Sequence, residues 1–396
     1  MKPLFVSSLS LVSALGDGQD ATWTALREGR SALAPCTFAP LPIDAWAGEV
    51  QGLDEPLPAP FTAFDCRNNR LAERALAADD FEHAVRRAVA QYGAARVGLF
   101  TGTSTSGILQ SEQAYHRLDP QTGALPAGFA YAETHNTYAL GRFLRARLGL
   151  KGPSFTLSTA CAATAKLFAV ATRMIEAGLC DAAVIGGADS FCGTTLFGFH
   201  ALGVMAQGPC RPFDAARNGI SIGEAAGFAL LERAPDKPAP EALLLRGTGE
   251  SADAHHMSSP DPQGTGAATA MRQALADAGC EPAAIDYINL HGTATLVGDS
   301  AEDKAVTSLF GPDTPRSSAK GFTGHTLGAA GMVGAALAAL ALRHGFVPGS
   351  PHTNRLDTGF APGHVLAGRP APVRLVMCNA FGFGGVNCSF ILGRQP

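Results

Sequence analysis

Short apolar runs alternate along the chain with longer segments in which apolar residues recur at helical spacing. In the first half, the runs 95–101, 181–188 and 227–231 predict buried strands. Residues 162–177 place apolar side chains on one face with charged residues between them, which predicts an amphipathic helix that Gly178 ends. Strand and helix therefore follow one another in this half.

The second half repeats this rhythm. Segments 267–278 and 301–310 have helical spacing, and the segments 285–290, 374–378 and 388–392 are strand-like. Alternation of strand and helix in both halves predicts the α/β class, with sheets that helices cover on both faces.

A charged, proline-rich stretch at 233–240 (RAPDKPAP) separates the two halves and is the best candidate boundary. The sequence therefore predicts an N-terminal unit over 1–235 and a C-terminal unit over 236–396. No short exact repeat relates the two units, so the sequence alone does not decide whether they arose by a distant duplication.

Two apolar segments have to be distinguished from targeting and membrane sequences. Residues 3–16 resemble the core of a signal peptide, but a single lysine precedes them and serines interrupt them. This favours a buried strand and turn, followed by a helix from about Asp20. The run 327–342 is mostly glycine and alanine and is too short for a membrane span, so it predicts a helix buried on all sides.

Composition and charge narrow the class of protein. Of 396 residues, 46% are hydrophobic and 16% are charged, which excludes a disordered chain and supplies a large core, while the light charge favours subunit contacts. The net charge of -4 and the lack of a Lys/Arg block argue against nucleic-acid binding. The nine cysteines form no C-x-x-C pair, which disfavours a disulfide framework or a zinc ribbon and predicts a reducing, cytoplasmic location.

Cys161 stands where a β-rich run gives way to the helix at 162–177. The dipole and the free N–H groups of a helix N-terminus stabilise a thiolate, so a cysteine at this place suits a nucleophile. The alternative is a buried, inert cysteine, and the strand-to-helix junction leaves the two interpretations balanced.

Three further motifs lie where strands or loops meet small residues. His291 begins HGTAT after the strand 285–290, and His325 ends the loop KGFTGH before the apolar helix. Residues 379–385 (NAFGFGG) combine phenylalanines, which can wall a pocket, with glycines, whose backbone N–H groups can face a ligand. Each histidine alone is more often structural, but beside Cys161 the motifs predict a shared cleft.

Five motifs occur in order: TACAAT, RPFDAARNG, NLHGTAT, KGFTGHTLGAAG and NAFGFGGVN. On these motifs the sequence resembles, from about residue 4 to 393, the beta-ketoacyl-acyl-carrier-protein synthases, condensing enzymes of the thiolase superfamily. The resemblance implies an α/β, thiolase-like five-layered αβαβα fold of two similar halves, usually a homodimer. It also implies that Cys161 is the acylated nucleophile, that His291 and His325 are the catalytic pair, and that Lys320 anchors the site.

The resemblance further implies the reaction and its partners. The cysteine takes an acyl group from an acyl carrier protein thioester, malonyl-carrier loses its carboxylate, and the resulting carbanion attacks the acyl-cysteine. Neutral histidines would donate to the enolate oxygen or handle the water or carbon dioxide. The N–H groups of Cys161 and Phe383 would form an oxyanion hole, with the Phe383 ring as a gate. Thr293 and Thr295 of HGTAT would bind substrate. No cofactor or metal ion is required.

One departure from the family pattern concerns the lysine. The family carries a glutamate nine residues after the second histidine, and this position is Gly334 here. An unpaired buried ammonium is costly, so we expect Asp299 or Glu302 to pair with Lys320 instead.

Two loops near the acyl pocket also depart from the pattern. Ile220 replaces the common phenylalanine of the DGF-type loop, and the loop 102–109 (GTSTSGIL) differs as well. The change at Ile220 implies a softer gate. The off-pattern N-terminus and the pocket loop favour a dedicated polyene or polyketide pathway over general fatty-acid elongation, and the acyl chain length stays open.

A candidate docking face precedes the predicted strand 95–101. Arg67, Arg70 and Arg74 fall at i, i+3 and i+7, which would line one side of a helix. Carrier proteins are acidic, so this basic face is expected to dock one. The alternative is a solvated face with no partner.

Three rival functions share part of these motifs. A chain-length-factor-like subunit, the non-catalytic partner in a heterodimer, typically lacks the cysteine that Cys161 supplies here. A papain-like hydrolase fits the separation of 130 residues between Cys161 and His291 but leaves the second histidine unexplained. A thiolase would use a second cysteine, such as Cys378 or Cys388, as its base. The second histidine, His325, favours an elongating synthase over a thiolase and also over starter-type synthases.

Overall fold

The computed structural model describes residues 2–39, 41–235 and 237–394. Its strands are β1 (Leu4–Ser13), β2 (Gly16–Asp17), β3 (Ala34–Pro35), β4 (Trp46–Gly48), β5 (Val97–Gly102), β6 (Ser154–Leu157), β7 (Ala182–Asp189), β8 (Ile222–Gly223), β9 (Ala225–Arg233), β10 (Leu244–Ala252), β11 (Tyr287–Asn289), β12 (Arg316–Ser317), β13 (Phe346–Val347), β14 (Arg369–Pro370), β15 (Leu375–Gly382) and β16 (Val386–Gly393). Its α-helices are α1 (Gly18–Glu28), α2 (Arg67–Ala77), α3 (Phe81–Tyr92), α4 (Ile108–Tyr115), α5 (Ala139–Leu148), α6 (Ala163–Glu176), α7 (Gly193–Ala201), α8 (Thr265–Ala278), α9 (Leu296–Phe310), α10 (Lys320–Thr323) and α11 (Ala330–His344).

A mixed sheet with the strand order β12-β11-β15-β16-β10-β1-β9-β7-β5-β6 runs through the molecule. Its two halves meet where β1 pairs with β10, at Leu4 opposite Leu245 and Phe5 opposite Leu244. In the first half β6, β5 and β7 are parallel, and β9 and β1 follow antiparallel. In the second half β12, β11 and β15 are parallel, and β16 and β10 follow antiparallel. The two halves thus share one topology, as a duplication would produce.

Neighbouring residues on the central strands face opposite sides of the sheet and belong to different cores. Phe100 of β5 and Cys378 of β15 pack in the cluster that surrounds α6 and α11. Leu99 packs instead with α2, α3 and α5, and Met377 packs with α8 and α9. Helices and half-sheets therefore alternate in five layers, which confirms the predicted αβαβα architecture.

The two helices of the central layer, α6 and α11, approach each other closely through small residues. A Cβ atom at Gly331 would collide with the backbone of Ala165, so only glycine allows this contact. Residues 327–344 are long and apolar enough to cross a membrane by length and composition alone, but 83% of this stretch is buried inside the protein. The prediction of a helix buried on all sides is confirmed.

The N-terminal apolar segment forms a central strand. β1 lies between β9 and β10, and its side chains alternate between partly and fully buried positions before becoming buried throughout. Helix α1 then begins at Gly18, two residues before the predicted start. The interpretation of this segment as a buried strand and turn is therefore confirmed.

Candidate active site

Loops that follow strands in the two halves of the sheet bring the predicted site residues together. Cys161 lies in the 3-10 turn Ala160–Ala162 between β6 and α6, and His325 occupies the equivalent place between β12 and α11. His291 follows β11. These loops converge because α6 and α11, the helices that follow Cys161 and His325, pack against each other in the central layer. All three side chains line one cavity of about 420 Å³.

Other predicted residues also line this cavity. Phe383, Thr293, Thr295 and Ile220 contribute to its wall. The hydroxyl oxygens of Thr293 and Thr295 lie 2.9 Å apart, so the two threonines form one polar spot on an otherwise mostly apolar surface.

The two histidines form a pair. Their ring centroids lie 5.3 Å apart with the planes almost perpendicular, at 85°. Burial lowers the pKa of His291 and of His325 well below the ordinary value, and the nearby Lys320 lowers both further. Both imidazoles are therefore neutral at pH 7, the state in which each can donate one N–H and accept at the other nitrogen.

Lys320 determines the tautomer of one histidine. Its Nζ lies 3.4 Å from His291 Nδ1 and also donates to the backbone carbonyl of His291. An Nδ1 that accepts a hydrogen bond leaves the proton of a neutral imidazole on Nε2. Lys320 therefore favours His291 with its N–H on the nitrogen that the amine does not contact.

The expected ion pair of Lys320 with Asp299 or Glu302 is wrong. Glu302 accepts hydrogen bonds from the backbone N–H groups of His291 (2.8 Å) and Gly292 (2.7 Å). Asp299 likewise accepts from Phe213 N at 2.7 Å and Ala294 N at 3.0 Å. Among the described residues neither carboxylate forms a salt bridge with the lysine, because backbone N–H groups of Phe213 and of the HGTAT loop occupy their oxygens.

A peptide group joins Lys320 to Glu302 indirectly. The peptide between His291 and Gly292 accepts from Lys320 at its carbonyl and donates to Glu302 at its N–H. Burial raises the pKa of Glu302, against these hydrogen bonds, and raises that of Asp299 to about 7. The HGTAT loop is therefore held between one amine and two buried carboxyl groups.

Two backbone N–H groups are directed at the Cys161 thiol. Burial raises its pKa to about 11, and Asp189 adds to this effect. Lys320 and the N–H groups of Phe383 and of Cys161 itself act in the opposite direction but do not outweigh burial. The free cysteine is therefore a thiol at pH 7, and the helix N-terminus alone does not make it the thiolate that the sequence favoured.

The glycine-rich loop between β15 and β16 is bound to a second loop. Gly384 N donates to Met257 O at 2.7 Å, and Asp253 N donates to Gly385 O at 2.9 Å. The Phe383 ring is 38% exposed and lies 5.7 Å from the ring of Phe199. The phenylalanine therefore stands at the cavity mouth, with its N–H inside and its ring against α7.

The structure corrects the expected basic docking face on α2. All three arginines make ion pairs inside the chain: Arg67 with Glu224, Arg70 with Asp65 and Arg74 with Asp17. Glu224 is fully buried, so its charge requires the Arg67 guanidinium. These side chains hold loops to α2 and do not present free cations to a carrier protein.

The sequence analysis did not identify three residues of the site. Asp189, at the end of β7, accepts hydrogen bonds from the loop after β5. In the sequence, an acidic residue that ends a predicted buried strand, together with a Ser/Thr-rich loop after another strand, could have indicated this residue. Phe199 and Met257 line the cavity from a helix and a loop that carry no motif. Only the folded chain brings these two to Cys161.

Comparison with known proteins identifies the family. The family models for the beta-ketoacyl synthase N-terminal and C-terminal domains match residues 1–237 and 243–354. The 3-oxoacyl-[acyl-carrier-protein] synthase 2 of Vibrio cholerae is 31% identical, with 98% of each chain covered. Nodulation protein E of Rhizobium sp. (strain N33) is also 31% identical, with 96% of each chain covered.

Solved structures agree with this assignment. A ketosynthase in complex with its chain length factor from Xenorhabdus doucetiae is 37% identical, with a TM-score of 0.90 over 100% of this chain and 98% of that one. The ishigamide ketosynthase/chain length factor is 27% identical, with a TM-score of 0.88 over 100% of both chains. The family and thiolase-like fold predicted from five motifs are therefore confirmed. The chain belongs to the beta-ketoacyl synthase family, acyltransferases that elongate acyl chains on acyl carrier protein.

Proposed function

We propose that this synthase elongates a chain held on Cys161, with His291 and His325 activating malonyl-carrier, in a dedicated polyene or polyketide pathway of the cytoplasm. The observation that carries this proposal is a single cavity in which two N–H groups meet the Cys161 sulfur beside two neutral histidines. In the part of the chain that the structure describes, Cys161 is the one cysteine that lines this cavity.

In the first half-reaction the Cys161 sulfur attacks the carbonyl carbon of an acyl-carrier thioester. A bond forms between Sγ and that carbon, the bond to the carrier sulfur breaks, and the carrier thiol leaves with the proton that Cys161 gives up. A neutral histidine in the same cavity can relay this proton. The N–H groups of Cys161 and Phe383 stabilise the oxyanion, and one such donor contributes about 2.7–4 kcal/mol.

In the second half-reaction malonyl-carrier enters the same cavity. Its carboxylate leaves as carbon dioxide, and the electrons of the broken C–C bond pass to the thioester oxygen as an enolate. His291, which Lys320 holds as the Nε2–H tautomer, donates to that oxygen together with His325. The enolate carbon then bonds to the acyl carbon, the bond to Sγ breaks, and the cysteine is released.

The dedicated pathway is supported by two observations on the chain and its relatives. Ile220 lines the cavity where the family commonly carries a phenylalanine, and an isoleucine side chain takes up less of the cavity than a phenylalanine would. The 37% and 27% identical relatives are described as ketosynthases with a chain length factor. We therefore infer that the acyl chains are longer or less flexible than those of general fatty-acid elongation.

The same relatives support a heterodimer with a chain-length-factor-type subunit over a homodimer. Strand β6 ends the sheet, its side chains are half-buried, and in the described chain its outer edge is unpaired. An unpaired edge readily adds a strand from another chain. The end of β6 leads directly to Cys161, so a partner bound there would complete the wall of the acyl pocket.

Reconstitution tests this function. The chain is purified with and without a co-expressed chain-length-factor subunit and is incubated with acyl-carrier and malonyl-carrier. The masses of the carrier-bound products are then measured by mass spectrometry. We expect β-ketoacyl products that lengthen by two carbons per cycle and require the partner for several cycles. Efficient turnover of saturated fatty acyl-carriers by the chain alone would contradict the dedicated role.

A further inference from the structure

The Asp189 carboxylate is an unusually well-satisfied buried group outside the proposed catalytic set. It is 1% exposed and ends β7. It accepts from the hydroxyls of Thr103, Ser104 and Thr105 and from the backbone N–H groups of Ser104, Thr105 and Gly328. The loop after β5 and the turn after His325 are thereby fixed to one side chain.

Gly328 is held from two sides. It lies three residues after His325, in the 3-10 turn Leu327–Ala329 that precedes α11. Its N–H donates to Asp189 Oδ2 at 2.6 Å, and its carbonyl accepts from Thr164 Oγ1 at 2.6 Å. Thr164 is fully buried and lies three residues after Cys161 in α6. A Cβ atom at Gly328 would lie 2.8 Å from Asp189 Oδ2, so the turn fits only as glycine.

These bonds cross between the two halves of the fold. Cys161 and Thr164 belong to the first half, and His325 and Gly328 belong to the second. The helices that follow them, α6 and α11, pack against each other in the central layer, where Gly331 of α11 meets the backbone of Ala165. Directional hydrogen bonds with a buried carboxylate and a buried hydroxyl fix the turn at Gly328 relative to these helices.

We propose that Asp189 and Thr164 act as positioning residues that clamp Gly328 and thereby hold His325 in register with Cys161. This inference rests on the proposed roles of Cys161 and His325. A displacement of about 1 Å in a reacting group can cost on the order of 10²-fold in rate. The clamp should therefore affect decarboxylation at the acylated enzyme, which depends on the place of His325 beside Cys161, more than acyl transfer, whose oxyanion is held by backbone N–H groups.

The test separates the two half-reactions. Acylation of Cys161 is followed by intact mass, and decarboxylation of malonyl-carrier by the acylated enzyme is followed by carbon dioxide release. Thr164→Val removes the hydroxyl at nearly constant shape, and Asp189→Asn removes the charge and part of the acceptor capacity. Because the Asp189 charge raises the pKa of Cys161, its removal does not slow acylation electrostatically.

The matched control is Thr22→Val. Thr22 is also fully buried, and its hydroxyl donates to the Gly18 carbonyl at 3.0 Å in α1, away from the cavity. We expect Thr164→Val to keep acylation within about twofold and to lower decarboxylation at least about tenfold, with a larger loss in Asp189→Asn and none in Thr22→Val.

Three outcomes would overturn the clamp. Equal losses in both half-reactions would show a general structural role, and so would a Thr164→Val variant that behaves like the Thr22→Val control. If Asp189→Asn does not fold, Thr164→Val alone decides. A wild-type enzyme that acylates a different cysteine would overturn the proposed function first and the clamp with it.

Discussion

Lys320 acts on both histidines through charge and on one of them through hydrogen bonds. It contacts His291 at Nδ1 and at the carbonyl oxygen, while its charge lowers the pKa of His291 and His325. In the mechanism that we propose, a neutral histidine that keeps its N–H on Nε2 is the donor for decarboxylation. The lysine would then contribute to the reaction without touching substrate.

Replacing Lys320 should move the pH dependence of decarboxylation. In Lys320→Met the pKa of both histidines rises, so they become protonated at a higher pH as the solution is acidified. Loss of activity on the acid side should therefore begin at higher pH than in the wild type, and the rate at pH 8 should also fall because the tautomer is no longer fixed. A pH–rate profile of malonyl-carrier decarboxylation measures this.

The control for this profile is Lys304→Met. Lys304 is exposed, and its Nζ donates to the Pro262 carbonyl at 3.0 Å. Its removal should leave the profile unchanged. An acid limb that stays in place in Lys320→Met would contradict the electrostatic role of this lysine.

The histidines themselves should matter most for one half-reaction. His291→Ala and His325→Ala should each lower malonyl decarboxylation by about 10²–10⁴-fold, the range of general acid–base contributions. Acyl transfer to Cys161 should fall less, since its oxyanion is held by backbone N–H groups. Wild-type decarboxylation in either variant would exclude that histidine from the site.

Glu302 should contribute to stability as well as to activity. In Glu302→Gln the amide NH₂ cannot accept, so one of the N–H groups of His291 and Gly292 loses its partner. A buried donor without a partner costs about 1–3 kcal/mol, and the loop that carries His291 loosens. Denaturant unfolding should show this loss together with slower decarboxylation, whereas an unchanged unfolding midpoint would mean that the carboxylate is dispensable for the loop.

At the scale of elements, the sequence analysis located several segments closely but did not identify others of similar length, such as α3 (Phe81–Tyr92) and β10 (Leu244–Ala252). The helix expected over 162–177 is α6 (Ala163–Glu176), and the strand expected over 181–188 is β7 (Ala182–Asp189). The helix expected over 301–310 begins earlier, at Leu296. Two-residue strands such as β12 depend on pairing with neighbours distant in sequence, which no local pattern encodes.

The glycine-rich loop between β15 and β16 should act as a gate through its side chain and as an oxyanion donor through its backbone. Phe383→Ala keeps the N–H that faces Cys161 but removes the ring that packs near Phe199. We therefore expect acyl transfer to slow by less than about tenfold, while discrimination between acyl and malonyl thioesters weakens. Competition between the two thioesters measures this, and unchanged discrimination would make the loop a static wall.

At the scale of the whole molecule, the site exists because two similar halves place equivalent loops against each other. Motif order predicted that Cys161, His291 and His325 would share a cleft, and the structure places all three on one cavity. The partner of Lys320 could not be predicted, because it is a backbone carbonyl, which carries no residue signature. The ion pairs of Arg67, Arg70 and Arg74 could not be predicted either, since their acidic partners lie outside α2.

The unpaired edge of β6 should determine the assembly. Co-expression with a chain-length-factor-type subunit should give a stable one-to-one complex, and light scattering after size exclusion measures its mass. A chain that stays at its own mass of 40.7 kDa in the presence of that subunit would contradict the heterodimer.

The central claim is that Cys161 carries the growing chain. Incubation with acyl-carrier thioester, followed by proteolysis and peptide mass mapping, tests it most directly. The account predicts one added acyl group, located on the peptide that contains Cys161, and no added mass in Cys161→Ala. An acyl group on Cys192 or Cys378, or undiminished acylation of Cys161→Ala, would contradict it.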